Sequence, residues 1–147
     1  MKITKVEIIV VEIPQIPPIA PYRSHIRSSS VTQSAIVRLD TDEGLVGWGE
    51  YNCNFIPVEE FVKGRKAANE MLDGWDPWHL EKYHAECSFE PRLRSGLEMA
   101  MWDLCGQAAG VPVADLLGGI IRPEVELAAC MGIQTYERAG EIASLYV

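Results

Sequence analysis

The stretch Thr41-Asp42-Glu43-Gly44-Leu45-Val46-Gly47-Trp48-Gly49-Glu50 decides how the chain begins to fold. Thr41–Gly44 is a short polar link between two extended runs. Asp and Gly in such a link mark a β-hairpin, with Gly44 free to take a positive φ. Before the link, Val31, Gln33, Ala35, Val37 and Leu39 share one face of a strand over Val31–Asp40, and Thr32, Ser34, Ile36, Arg38 and Asp40 share the other. After it, Leu45–Glu50 is the second arm. Upstream, Lys2–Ile13 reads as a third strand, with Ile3, Lys5, Glu7, Ile9, Val11 and Ile13 on one face and Val6, Ile8 and Val10 on the other. β-Branched residues dominate it, and apolar residues on both faces predict burial on more than one side. The chain therefore opens as a three-stranded antiparallel meander.

Between the first two strands, Pro14, Pro17, Pro18 and Pro21 remove ladder donors and restrain the residues before them, which predicts a long loop over Gln15–Ser30. After the hairpin, Tyr51–Ile56 reads as a short polar and aromatic loop. Pro57 suits the first turn of a helix. Val58, Phe61, Val62, Ala68 and Leu72 follow at helical spacing, and Asp73-Gly74 ends the run. Asp76-Pro77 reads as cap and first turn of another helix, with Leu80, Tyr83 and Cys87 on one side. Ser95-Gly96-Leu97-Glu98 has the form of a capping box. The helix it would open has Leu97, Ala100, Met101, Leu104 and Ala108 as its buried stripe; Gly110 lies just past its end, and Pro112 prevents continuation. Val113–Leu117 is a further short turn of helix stopped by Gly118-Gly119. Then the pattern changes: Pro123 precedes an expected strand over Val125–Met131, and Tyr136–Val147 is helical in pattern. A strand followed by a helix is the opening of a β/α repeat.

The composition narrows the function classes. The chain has 147 residues, 48% hydrophobic and 23% charged, and its mean hydropathy is +0.00, a soluble globular balance. A complete (β/α)₈ barrel needs roughly 250 residues and is excluded. Thirteen basic against twenty-one acidic residues give a net charge of −8, which disfavours nucleic acid as a partner. No run approaches the roughly 18 apolar residues of a membrane span. Glu7 and Glu12 interrupt the first apolar stretch and Pro14 ends it, unlike the core of a secretory signal. The expected location is the cytoplasm. Cys53, Cys87, Cys105 and Cys130 are widely spaced, with no C-x-x-C pair. They read as reduced thiols packing as small hydrophobes, not as zinc ligands.

Few residues point to chemistry. His79 and His84 are five apart, on different helix faces, and read as solvated. Ser28, Ser29 and Ser30 lie near His25, but no G-x-S-x-G occurs, and no G-x-G-x-x-G leads into a helix. Glu50 and Asp103, beside Trp48 and Trp102, read as structural acids. The cationic cluster of Arg23, His25 and Arg27 in the proline loop is the stronger candidate. With Tyr22, Tyr51 and Asn52 it suits a polyhydroxylated or dicarboxylate ligand, because guanidinium matches carboxylate geometry.

Three stretches together resemble one family. They are Thr41–Glu50; Ser95-Gly96-Leu97-Glu98-Met99-Ala100-Met101-Trp102-Asp103-Leu104-Cys105-Gly106; and Gly110-Val111-Pro112-Val113 running into Leu116-Leu117-Gly118-Gly119. In this order and spacing the chain resembles the N-terminal part of an enolase-superfamily enzyme of the mandelate racemase/muconate lactonizing type. The resemblance implies an α+β capping domain over residues 1–122, a three-stranded meander followed by helices. It implies that residues 123–147 are the first strand and part of the first helix of a truncated (β/α)₇β barrel. The implied chemistry is abstraction of a proton α to a carboxylate, with Mg²⁺ holding the enediolate, in an acid-sugar dehydratase or a racemase/epimerase. The implied base and metal ligands lie on later barrel strands, so no residue of this chain is assigned as catalytic or as a metal ligand. What carries over is the pair of capping loops, Gln15–Ser30 and Tyr51–Ile56, which makes Tyr22, Arg23, His25, Tyr51 and Asn52 the expected contacts to a carboxylate or sugar-acid substrate. The same resemblance implies a homo-oligomer when full length. The alternatives are a non-catalytic truncated chain acting as a binding or interaction module, inactive by itself, and a cycloisomerase of the same superfamily.

Overall fold

The computed structural model describes residues 1–18 and 20–146. Ile19 of the expected loop and Val147 of the expected terminal helix lie outside them. Among the described residues, five strands and five helices follow in order: β1 Ile3–Pro14, β2 Tyr22–Arg23, β3 Ser28–Ser29, β4 Val31–Thr41, β5 Val46–Asn52, α1 Val58–Leu72, α2 Leu80–Glu86, α3 Pro91–Ala109, α4 Val113–Leu116 and α5 Tyr136–Ser144. The chain divides into two compact units, one of Met1–Val11 with Gln33–Ile121, the other of Glu12–Thr32 with Arg122–Val147.

The first unit is built on a three-stranded antiparallel sheet in the order β1-β4-β5. The hairpin forms as its turn chemistry requires, Gly44 taking φ 80°. It sets Val37 opposite Gly49 and Leu39 opposite Gly47. Ala35, Val37 and Leu39 are fully buried on the inner face. The facing residues of β5 are glycines for a steric reason. A Cβ on Gly47 would stand 2.3 Å from the Ala100 carbonyl oxygen, and one on Gly49 would stand 2.0 Å from that of Gly96. Helix α3 therefore lies directly on the β5 backbone. Its Leu97, Ala100, Met101 and Leu104 are fully buried, as the periodicity predicts; Ala108, expected in that stripe, is exposed.

Helix α1 closes the outer edge of the sheet. The Asn69 side chain accepts from the Val6 amide and donates to the Val6 carbonyl, both at 2.8 Å. The Ile3 amide donates to Trp75 O at 2.9 Å, and Gly74 N donates to Ile3 O at 2.8 Å. At Ile3 and Val6 the spare donors and acceptors of this edge strand are thereby used. These contacts reach only as far as Val6, so Ile9, Val10 and Ile13 are 44%, 45% and 50% exposed. The two-sided burial expected of β1 is found only at its start, in Ile3 on one face and Val6 on the other. Helix α1 forms as its spacing predicts, with Ala68 and Leu72 buried and Val58 and Val62 exposed.

Two helix starts differ from expectation. Helix α3 begins at Pro91, capped by the Glu90 carboxylate, which accepts from Arg92 N at 2.9 Å and Leu93 N at 3.2 Å. Ser95–Glu98 thus lies inside the helix, where Ser95 caps nothing, and Glu98 instead meets His84 Nε2 at 3.1 Å. Asp76 shapes a turn, accepting from Trp78 N at 3.1 Å, and helix α2 begins only at Leu80. Gly110 ends α3 in the left-handed conformation, φ 68°, as anticipated for a glycine in that place.

In the second unit, β2 and β3 form a small antiparallel hairpin, Tyr22 opposite Ser29 and Arg23 opposite Ser28, closed by Ser24 N donating to Arg27 O at 2.8 Å. The loop expected over Gln15–Ser30 thus carries a hairpin after Pro21, where no further proline removes an amide donor. The strand expected over Val125–Met131 does not form. A strand exists only by pairing, and none of the described strands pairs with this segment; Val125 is 74% and Leu127 94% exposed. Helix α5 forms under a Thr135 cap and stops at Ser144, short of the expected end. Ile121, Val125, Leu127 and Tyr136 stand in solvent, and exposed apolar surface of this kind associates. The 147-residue chain is expected to self-associate; a monodisperse monomer in light scattering would contradict this.

Candidate functional site

The residues expected to contact substrate fall in two places. Tyr51 and Asn52 belong to β5, not to a loop, paired with Ala35 and Ser34. Tyr51 faces inward, 7% exposed. Its ring stacks on Phe61 at 6.5 Å between centroids, and burial pushes its hydroxyl pKa up to about 12. Asn52 faces outward, and its Oδ1 accepts from Asn54 N at 3.2 Å. Tyr22, Arg23 and His25 share the β2–β3 hairpin of the other unit. Tyr22 is half-buried, while Arg23 and His25 are exposed. The Arg23 carbonyl is fixed by Ile133 N at 2.7 Å, and Gly132 packs so closely that a Cβ there would stand 2.5 Å from Arg23 N. Arg23 is therefore held by its backbone with its side chain in solvent.

Beyond Asn52 the chain makes a tight loop. Cys53 N donates to Gln33 O at 3.1 Å, and Gln33 N donates to Asn54 Oδ1 at 2.9 Å. Ile56 N closes the turn onto Cys53 O at 3.1 Å. Phe55 sits at the tip with φ 68°, 77% exposed. Beside the loop is a cleft of about 400 Å³ whose walls include Tyr51, Phe55, Ile56, Phe61, Phe89 and Arg92. Sequence reasoning missed Phe89, Glu90 and Arg92 as part of this site. Their signal was Glu90-Pro91, an acidic cap followed by a first-turn proline. Burial works against the Glu90 carboxylate. The bonds from the Arg92 side chain and from the Leu93 and Arg92 amides outweigh it and hold its pKa below the ordinary value.

The two acids beside tryptophans are structural. Asp103 accepts from Trp48 N at 2.8 Å and from Gln107 Nε2 at 3.0 Å, and Glu50 accepts from the Ser34 hydroxyl. Cys53, Cys87 and Cys105 are buried free thiols; Cys130, expected to pack likewise, is exposed. Among the described residues, no group of three or more His, Cys, Asp or Glu is placed to hold a metal ion. None of their helices is long and apolar enough to cross a membrane.

A three-stranded antiparallel sheet followed by helices, joined by these loops, is the fold of an enolase-superfamily N-terminal capping domain. Residues 5–118 match the mandelate racemase / muconate lactonizing enzyme N-terminal domain, and the chain belongs to that family. It is 35% identical over 94 residues to a hydrophobic dipeptide epimerase of Enterococcus faecalis, covering 58% of this chain and 27% of that protein. A solved dipeptide epimerase from the same organism, complexed with Mg and the dipeptide L-Leu-L-Tyr, superposes with TM-score 0.70 at 28% identity, covering 81% of this chain and 35% of that one. This chain is 34% identical over 113 residues to a D-galactonate dehydratase of Pectobacterium atrosepticum, covering 65% of this chain and 27% of that protein. The N-succinyl Arg/Lys racemase of Bacillus cereus superposes with TM-score 0.84 at 26% identity, over 99% of this chain and 42% of that one. The chain thus spans about a quarter of the length of the curated relatives it matches.

Proposed function

We propose that the chain is the capping part of a Mg²⁺-dependent enzyme that abstracts a proton α to a carboxylate, an acid-sugar dehydratase or a racemase/epimerase. The observation that carries this is the match of residues 5–118 to a family whose relatives include an epimerase and a dehydratase. In this reading residues 1–122 form the cap and residues 123–147 open the barrel. The enzyme works in the cytoplasm as a homo-oligomer on a small carboxylate or sugar acid. A carbon acid of this kind is too weak for an unaided base, so a metal must stabilise the charge that develops on the carboxylate. The described residues assemble no donor set for it; the ligands and the base belong to other parts of the enzyme.

The cap's part is choice of substrate. Arg23 and His25, exposed on the hairpin, bind the anionic or hydroxylated end of the acid, with Tyr22 beside them. Asn52 offers its exposed amide, and Tyr51 contributes the wall of the cleft. In the whole enzyme, Arg23→Ala and His25→Ala are each expected to raise KM about tenfold, the loss of one charge-assisted hydrogen bond. Mg²⁺ affinity, followed by calorimetry, should not move. Unchanged kinetics in both variants would sink the assignment.

A further inference from the structure

The loop after β5 is held from two sides. On one side Gln33 of β4 pairs with Cys53 and Asn54. On the other, Arg92 Nη1 points at two carbonyls of the loop, 3.4 Å from Asn52 O and 3.5 Å from Asn54 O. Each contact is long and weak singly, but both come from one charged group that is itself aimed. Glu90 Oε1 accepts from Arg92 Nε at 2.9 Å, while Glu90 Oε2 caps α3 through the Arg92 and Leu93 amides. One carboxylate thus starts the helix and orients the guanidinium. Between the two carbonyls lies Cys53, 1% exposed. Next comes Phe55 in the left-handed region, which a bulky side chain occupies only when its surroundings hold it there.

We propose that Arg92, aimed by Glu90, is the positioning residue of the Asn52–Ile56 loop: it holds the loop closed over Cys53 and so sets one wall of the cleft between Tyr51, Phe61 and Phe89. The holding stands on these contacts alone; its bearing on substrate choice rests on the function proposed above.

The four free thiols make the test internal. The chain and its Arg92→Ala and Arg92→Lys variants are treated with N-ethylmaleimide, and labelling of each cysteine is timed by mass spectrometry. Exposed Cys130 reports the reagent, and fully buried Cys105 reports the whole fold. Arg92→Ala is expected to label Cys53 about tenfold faster, as local opening loses its restraint, with Cys105 as slow as in the parent. Arg92→Lys keeps the charge but not the fork, and should fall between. Cys53 remaining as slow as in the parent overturns the proposal. So does acceleration of Cys53 and Cys105 together, which would make Arg92 a support of the whole fold. If Arg92→Ala does not fold, Arg92→Lys is read by the same criterion. In the whole enzyme, release of the loop should change KM values across a panel of acids while kcat stays within about twofold. Faster Cys53 labelling with unmoved KM would leave the loop's restraint standing and remove its role in substrate choice.

Discussion

Gly49→Ala should cost this protein about 3–5 kcal/mol, a large share of the roughly 5–15 kcal/mol that holds a domain folded. The added Cβ would meet the Gly96 carbonyl oxygen at 2.0 Å and the Ala100 amide nitrogen at 3.0 Å. Both are backbone atoms of α3, so no rotamer change relieves the clash. The helix must lift off the sheet, and Leu97, Ala100, Met101 and Leu104, all fully buried, lose their close contacts together. A methylene that a core absorbs by local shifts costs about 1–3 kcal/mol; here the yielding body is a whole helix. Gly44→Ala is the contrasting variant. It meets nothing within 4 Å and is strained only by its φ of +80°, a penalty of about 1 kcal/mol. Thermal melts followed by circular dichroism should show a drop above about 10 °C for Gly49→Ala and a few degrees for Gly44→Ala. Equal melting of the two would mean that α3 does not lie on the β5 backbone.

Asn69→Ala ranks second. It strips both 2.8 Å bonds from the Val6 peptide groups, and Val6 is 2% exposed, so water reaches them poorly. Two unsatisfied backbone groups cost about 2–4 kcal/mol together. Asn69→Asp separates the two bonds. The new carboxylate still accepts from Val6 N but faces the Val6 carbonyl with negative charge. Its protonated form can donate there, so folding raises its pKa. Its contribution is then present below the unfolded pKa and lost as pH rises through the folded one. Asn69→Asp should therefore be less destabilised at pH 4 than at pH 7, relative to the parent at each pH. Equal losses at both would show that the Val6 carbonyl does not depend on Asn69.

What could be read from the residues was local. Asp42–Gly44 specifies its turn within a few positions, and Ala35, Val37 and Leu39 announce a buried face by simple alternation. What failed depends on residues outside the stretch being read. Ser95 and Glu98 satisfy the spacing of a cap, but Glu90, five residues earlier, had already taken that role. Val125–Met131 has strand composition, yet composition does not supply a neighbour to pair with. Ile9, Val10 and Ile13 look like core and are exposed, because burial requires something to cover them. The site divides in the same way. Arg23 and His25 stood out as cations in a proline-rich segment. Arg92 did not, because its partners Asn52 and Asn54 lie about forty residues earlier in the chain.

The glycine-mediated seat of α3 on β5 also matters to anyone who wants to redesign the molecule. Side-chain size is restricted at Gly47, Gly49 and Gly96, but the segment that leaves β5 at Asn52 and enters α1 at Val58 makes no such demand of its tip, where Phe55 is 77% exposed. Cys53 is 1% exposed and the Asn54 side chain accepts from Gln33 N, so the freedom lies at the tip and not along the whole segment. Randomisation at position 55 can therefore recolour that wall of the cleft while Cys53, Asn54 and Ile56 keep their bonds and the sheet with its helix serves as an unchanging chassis.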